Sequence, residues 1–119
     1  MDTAALLEQL PDAVIACDRR GLIRVWNAAA ARLFGPAASE AIGQSLDIII
    51  PERLREAHWR GFEAAMAAGA TKHSGRPLTT RAVSKSGEKL YVSMSFGMLH
   101  DADGQVCGAV AVAREAERP

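Results

Sequence analysis

The sequence predicts an α+β domain: a single five-stranded antiparallel sheet with short helices packed on one face. Three observations predict it. Two strand patterns open the chain, a block of helical patterns follows as far as residue 68, and three more strand patterns fill the remainder. Polar, glycine-bearing turns of hairpin length separate strands that follow one another, which makes them antiparallel neighbours. At 119 residues the chain is the size of one ordinary domain, so all five strands must share one core with the helices.

Residues 3–10, TAALLEQL, carry a short helical pattern that Pro11 stops, and 12–18, DAVIACD, reads as a strand. Arg19 to Gly21 supply a turn, and 22–26, LIRVW, alternates apolar and polar residues as a half-buried strand does. Asn27 is a suitable N-cap for a helix over 28–35, where alanines favour the helix and Gly35 closes it. Ser39 to Gly43 suggest one further short turn. Pro51 can open a long helix over 51–68 and Gly69 can end it. Strands are then expected at about 76–84, 88–99 and 105–113, separated by the turns KSGEK (85–89) and DADGQ (101–105). No internal repeat or low-complexity tract interrupts them.

Apolar residues make up 49% of the chain and charged residues 24%, with 14 basic against 14 acidic side chains. Such a balance creates no field to gather nucleic acid or anionic lipid, so neither is expected as a partner. No apolar run approaches the roughly 20 residues that span a bilayer, and no basic and apolar leader opens the chain. A cytoplasmic protein is expected. Cys17 and Cys107 fall in separate strands without C-x-x-C spacing, which argues against zinc or a redox pair and for two reduced, buried thiols.

One pattern asks for a chemical explanation. Leu54, His58, Phe62 and Met66 recur at intervals of four and form one stripe on the long helix. Three are apolar and one is a titratable imidazole. Such a histidine is by default a packed core residue, and the neighbouring Trp59 by default a packing residue, as is Trp26 at the strand-to-helix junction. No G-x-S-x-G elbow, G-x-G-x-x-G or Walker loop is present, so the residues give no support to an enzyme.

Taken together, PDAVIACDRRGLIRVWNAAAARLFG (11–35), EAIGQSLDIIIPERL (40–54) and SKSGEKLYVSMSFGMLHDADGQVCGAVAVARE (84–115) resemble a PAS domain over nearly the whole chain. The D-x-x-G turn, the helix with WNAAA and LFG, the EAIGQ turn and the K-S-G hairpin follow that family's order. The resemblance implies a PAS fold and a non-catalytic sensory or dimerisation module. It implies a homodimer and an effector: a histidine kinase, a cyclase or phosphodiesterase, or a chemoreceptor. Residues 1–10 would be an N-terminal helical cap, 11–115 the domain, and 116–119 the start of a linker to an effector or a tail.

PAS domains differ in cofactor. The flavin type's N-C-R-F-L-Q stretch is missing here. The haem type resembled here, found in rhizobial oxygen-sensor kinases and direct oxygen sensor phosphodiesterases, has its proximal histidine where His58 follows IPERLREA, and the spacing from His58 to Lys85 matches without a gap. The resemblance therefore implies haem b with His58 as the iron ligand, sensing oxygen, carbon monoxide or nitric oxide.

Leu54 and Phe62 would flank the ligand, and Gly61 would leave a bare patch for close approach, since a helical glycine otherwise costs about 1 kcal/mol. On the opposite wall MSFGML (94–99) resembles the family's distal strand, so Met94 and Phe96 would face inward, with Leu99 closing the far end. The family's distal arginine falls at Leu78 here. Arg76, two positions earlier, is the nearest substitute, and without it the bound gas loses a hydrogen bond. Met94 is a candidate sixth ligand, and His73 an alternative axial ligand or a partner for the haem carboxylates.

Two other readings remain open: a cofactor-free module for dimerisation and protein interaction, or a sensor of a small organic ligand such as an acid held by Arg76 or His73. By default Met94 is plain core, and Arg76 and Arg81 are solvated strand charges.

Overall fold

The computed structural model describes residues 1–71 and 75–119. The chain runs α1 (Thr3–Gln9), β1 (Ala13–Asp18), β2 (Ile23–Trp26), α2 (Ala28–Phe34), α3 (Ala38–Ala41), 3-10 turns at Leu46–Ile49 and Glu52–Leu54, α4 (Arg55–Ala68), β3 (Leu78–Val83), β4 (Lys89–His100) and β5 (Val106–Glu115). One antiparallel sheet has the order β2-β1-β5-β4-β3, so the last strand of the sequence is the middle strand of the sheet.

Hairpin turns make three of the four pairings. The fourth, β1 with β5, joins the two ends of the chain along the register from Ala13↔Ala113 to Asp18↔Gly108. Gly108 is required there. A Cβ at this position would run into the carbonyl of Cys17, so the strands reach this spacing only because Gly108 has no side chain.

Residues opposite one another in an antiparallel pair share a face, and alternate residues swap it. The register therefore puts Ala13, Ile15 and Cys17 of β1 on the same face as Met94, Phe96 and Met98 of β4 and Ala109, Ala111 and Ala113 of β5. That is the inner face, because Ala13, Ile15, Met94 and Ala113 belong to a core completed by Phe34, Ile49 and Ile50 from the helical side.

Asn27 ties the layers together. The residue is 2% exposed, and all four hydrogen-bonding positions of its amide are used. Its Oδ1 accepts from the N–H groups of Val14 (2.9 Å) and Ala30 (3.0 Å), and its Nδ2 donates to the carbonyls of Leu7 (2.9 Å) and Asp12 (3.1 Å). Its cap role on α2 is as the sequence suggests; its grip on α1 and β1 is additional.

Four local expectations are corrected. The long helix begins at Arg55 rather than at 51: Pro51 caps a 3-10 turn in which the Leu54 N–H bonds back to the Pro51 carbonyl at 2.8 Å. The Leu46–Ile49 turn has no periodic signal and was not expected. β3 begins at Leu78, two residues late, so Arg76 lies outside it, and β5 runs two residues beyond 113. Cys17 and Cys107 are both free, but only Cys17 is buried; Cys107 is exposed beside the irregularity where the register jumps from Leu99↔Gly108 to His100↔Val106.

Candidate functional site

Coverage of the inner face is uneven. Helical side chains bury it at Ala13, Ile15, Met94 and Ala113, yet Ala109 and Ala111 stay only half-buried although β5 is the middle strand. Phe96 and Met98 beside them are half-buried as well. The backbone of α4 stands off the strands, so its side chains span the distance. This partly uncovered apolar stretch of the inner face, with alanines as its floor, is the candidate cleft.

His58, on α4, is half-buried. Its ring stacks on Phe62, with centroids 6.2 Å apart and planes 28° from parallel, and meets Trp59 edge-on at 4.7 Å and 82°. Its Nδ1 is buried, and it stands out among the described residues as a buried side-chain polar atom without a hydrogen-bond partner. Burial pushes the imidazole pKa below its ordinary 6.5, opposed by the nearby Asp47 carboxylate. At neutral pH the ring is uncharged and keeps a lone pair, the form in which histidine binds a metal.

The adjacent residue of the helix supplies an anchor. Trp59 Nε1 donates to Asp47 Oδ1 at 2.7 Å, and the outer edge of its indole lies on Gly21, filling the volume that a Cβ would take. Gly21 has φ +78°, so the β1–β2 turn needs a glycine twice over, for its conformation and for this contact. Arg55 helps to set the same segment: its Nε donates to the Ile50 carbonyl at 3.1 Å and a terminal nitrogen to the Asp47 carbonyl at 3.3 Å.

The residues singled out from the sequence are only partly brought together. Leu54 precedes α4 but still packs on the core, Phe62 is half-buried beside His58, and Met66 is buried. Met94 is buried and Phe96 half-buried on the inner face, with Leu78 paired opposite Met94. Gly61 is exposed with open space around it, so no close approach explains it. Leu99 is on the outer face by alternation, and Met98 has the inner place expected of it; the two-residue period of 94, 96 and 98 carried that signal. Arg76 is exposed. His73 lies outside the described residues.

No group of three or more His, Cys, Asp and Glu side chains gathers among the described residues to hold a bare metal ion. A lone imidazole instead suits a metal that arrives with its other ligands, which is the chemistry of haem iron. The orphaned Nδ1, the neutral ring and the apolar neighbours Phe62 and Trp59 fit that group. Two open surface hollows, one lined by Leu54, Arg81, Tyr91 and Arg118 and one between Phe34 and Lys85, do not include His58 in their lining.

A family model described as the PAS fold matches residues 2–116. The chain is 44% identical over 54 residues to the sensor protein FixL of Bradyrhizobium diazoefficiens, a match covering 45% of this chain and 11% of that protein. Among solved structures it is similar to a PAS domain from Colwellia psychrerythraea, with a TM-score of 0.82 and 20% identity over 95% of this chain and 92% of the other. It is also similar to the PAS domain of the Cronobacter turicensis quorum-sensing receptor RpfR in complex with C12:0, with a TM-score of 0.72 and 14% identity over 92% and 97% of the two chains.

Proposed function

Because this chain belongs to the PAS family of sensory signalling modules, we propose that its cleft is the sensing site and that haem b binds there through His58. The observation that carries the reading is the buried imidazole nitrogen without a protein partner. The partial likeness to a sensor kinase supports it.

Bound haem would supply an iron centre for a diatomic gas. The chain's own side chains have three tasks. Neutral His58 offers its lone pair, Phe62 and Leu54 hold the ring's surroundings dry, and Met94, Phe96 and Met98 form the wall opposite. Leu78, where a hydrogen-bond donor would help to retain oxygen, is apolar, so carbon monoxide or nitric oxide is favoured. Arg76 stands near enough in sequence to Leu78 to serve the haem carboxylates at the mouth.

A second reading has its own support. The half-buried alanine floor would equally accept the apolar part of a small organic acid, with Arg76 meeting its carboxylate; a related PAS domain has been solved with C12:0. In either case we propose a homodimer that signals to an effector domain, for which exposed Leu6 and Val112 offer apolar contact. The sheet's last backbone bond, from Ala116 N–H to the Tyr91 carbonyl at 2.8 Å, supports 116–119 as the start of a linker.

The test is hemin titration of the purified protein followed by absorbance. We expect a stoichiometric Soret band that His58→Ala abolishes while leaving the fold intact. A band of normal intensity in the variant would move the axial role elsewhere, and a colourless wild-type protein that takes up a fatty acid would establish the second reading.

A further inference from the structure

We propose that Trp59 is the positioning residue of the sensing site: it sets the His58 ring in the cleft and ties that ring to the β1–β2 turn. The inference rests on the cleft being the sensing site but not on what fills it.

His58 lacks the usual means of orientation. A buried imidazole is normally aimed by a hydrogen bond from the protein at its buried nitrogen, and here Nδ1 has no protein partner. Ring contacts must do this instead. Phe62 supplies one face, at 6.2 Å, but is itself held edge-on by Trp59 at 5.1 Å. Trp59 also meets His58 directly at 4.7 Å. Both neighbours of the imidazole therefore lead back to one indole.

That indole is fixed from outside the helix. Its N–H bonds to Asp47 at 2.7 Å, and its ring edge rests on Gly21. Gly21 belongs to a turn organised by Asp18, whose Oδ1 accepts from the N–H groups of Arg20 (2.9 Å) and Leu22 (3.1 Å), and Asp18 is the last residue of β1. α4 is also held by Arg55 at its start, by buried Met66 towards its end, and by Gly69 beside His100 and Val106 just beyond it. Trp59 is the fastening in direct contact with His58, so a ligand that shifts His58 must disturb either it or the turn. β1 pairs with the middle strand, so the turn has a direct route into the sheet.

The experiment separates this role from simple stability. In protein labelled at histidine ring nitrogens and with 5-fluorotryptophan, Gly21→Ala is expected to shift both the His58 ring signals and the Trp59 fluorine signal, because the new Cβ takes the indole's place. Gly87→Ala is the control: it has a comparable φ of +85° but no neighbour within 4 Å, and should shift neither. Asp47→Ala removes the indole's acceptor together with a carboxylate that acts on His58 and Arg55, so it is read well above pH 6.5, where the His58 ring is neutral in both proteins; there it should move the His58 signals in the same direction, and it decides the matter if Gly21→Ala fails to fold. Hemin uptake by Gly21→Ala should weaken by about tenfold, the low end for lost outer-shell support of a metal ligand. His58 signals unchanged in both variants, with the Trp59 signal displaced, would overturn the proposal. A wild-type protein that takes no hemin would refute the haem reading while leaving the resonance result to judge Trp59.

Discussion

His58 and Phe62 stack one turn apart on α4, their planes 28° from parallel. The pairing gives the imidazole an apolar neighbour on the side from which water would otherwise solvate it. The same burial that lowers the ring's pKa leaves Nδ1 without a partner. A buried polar atom without a bond costs about 1–3 kcal/mol. A bound ligand that satisfied this nitrogen would recover that cost, which is why the cleft rather than the surface hollows is the candidate site.

Filling the floor should close the site. Ala111 is half-buried on the inner face between Phe96 and Ile15 in the register. Ala111→Phe is expected to abolish hemin uptake and, because Ala111 packs against the core while staying half-buried, to lower the unfolding free energy by about 1–3 kcal/mol. Absorbance and urea denaturation measure the two effects; normal uptake would mean that the ligand lies elsewhere.

Asn27→Ala removes four hydrogen bonds at once and strands two buried N–H groups. With each net bond at about 0.5–1.5 kcal/mol, the loss should be about 2–6 kcal/mol. Its sign in a denaturant experiment is a lower midpoint at unchanged slope. A loss no larger than that of an exposed helix cap would show that α1 and β1 do not depend on this amide.

Asp18 predicts an acid limb. Burial pushes its pKa up, but the N–H groups of Leu22 and Arg20 and the Arg24 guanidinium outweigh this and hold it below the ordinary 3.8. A depressed folded-state pKa means that the unfolded chain takes up the proton first, so the stabilisation is present above about pH 4 and is lost as pH falls through the lower folded value. Asp18→Asn should flatten the fall in melting temperature below pH 4 and leave the neutral region with little pH dependence of its own. An unchanged acid limb would assign it to other carboxylates.

The two thiols should differ in reactivity. Burial raises the pKa of Cys17, despite the Ala109 N–H, which lowers it, and Cys107 is exposed. A disulfide reagent at neutral pH is expected to modify one thiol of the native protein quickly, and the second only on unfolding. Cys107→Ser should abolish the fast phase.

Much of the fold was legible because its signals are local. Strand alternation, the Asn27 cap, the Gly69 stop and the two polar hairpin turns each concern residues within a few positions of one another, and the elements they predict appear within a few residues of their expected bounds. The errors were also local in origin. Pro51 starts a 3-10 turn as readily as an α-helix, and a two-residue shift at β3 leaves Arg76 outside the sheet. Leu99 was assigned to the distal wall although alternation from Met94 and Phe96 gives that face to Met98.

The sequence by itself determined the types and order of the elements and the apolar stripe that carries His58, because both follow from short periodicities along the chain. Tertiary structure decided what those residues do. The pairing of β1 with β5 puts Ala109 and Ala111 on the inner face beside Cys17 and Ile15. Asn27 becomes a hub only where α1 and β1 meet it. Trp59 becomes an anchor only because Gly21 and Asp47, 38 and 12 positions away in the chain, come to lie against it. Contacts between such distant segments arise from the packing of the whole core, and no window of neighbouring residues encodes them.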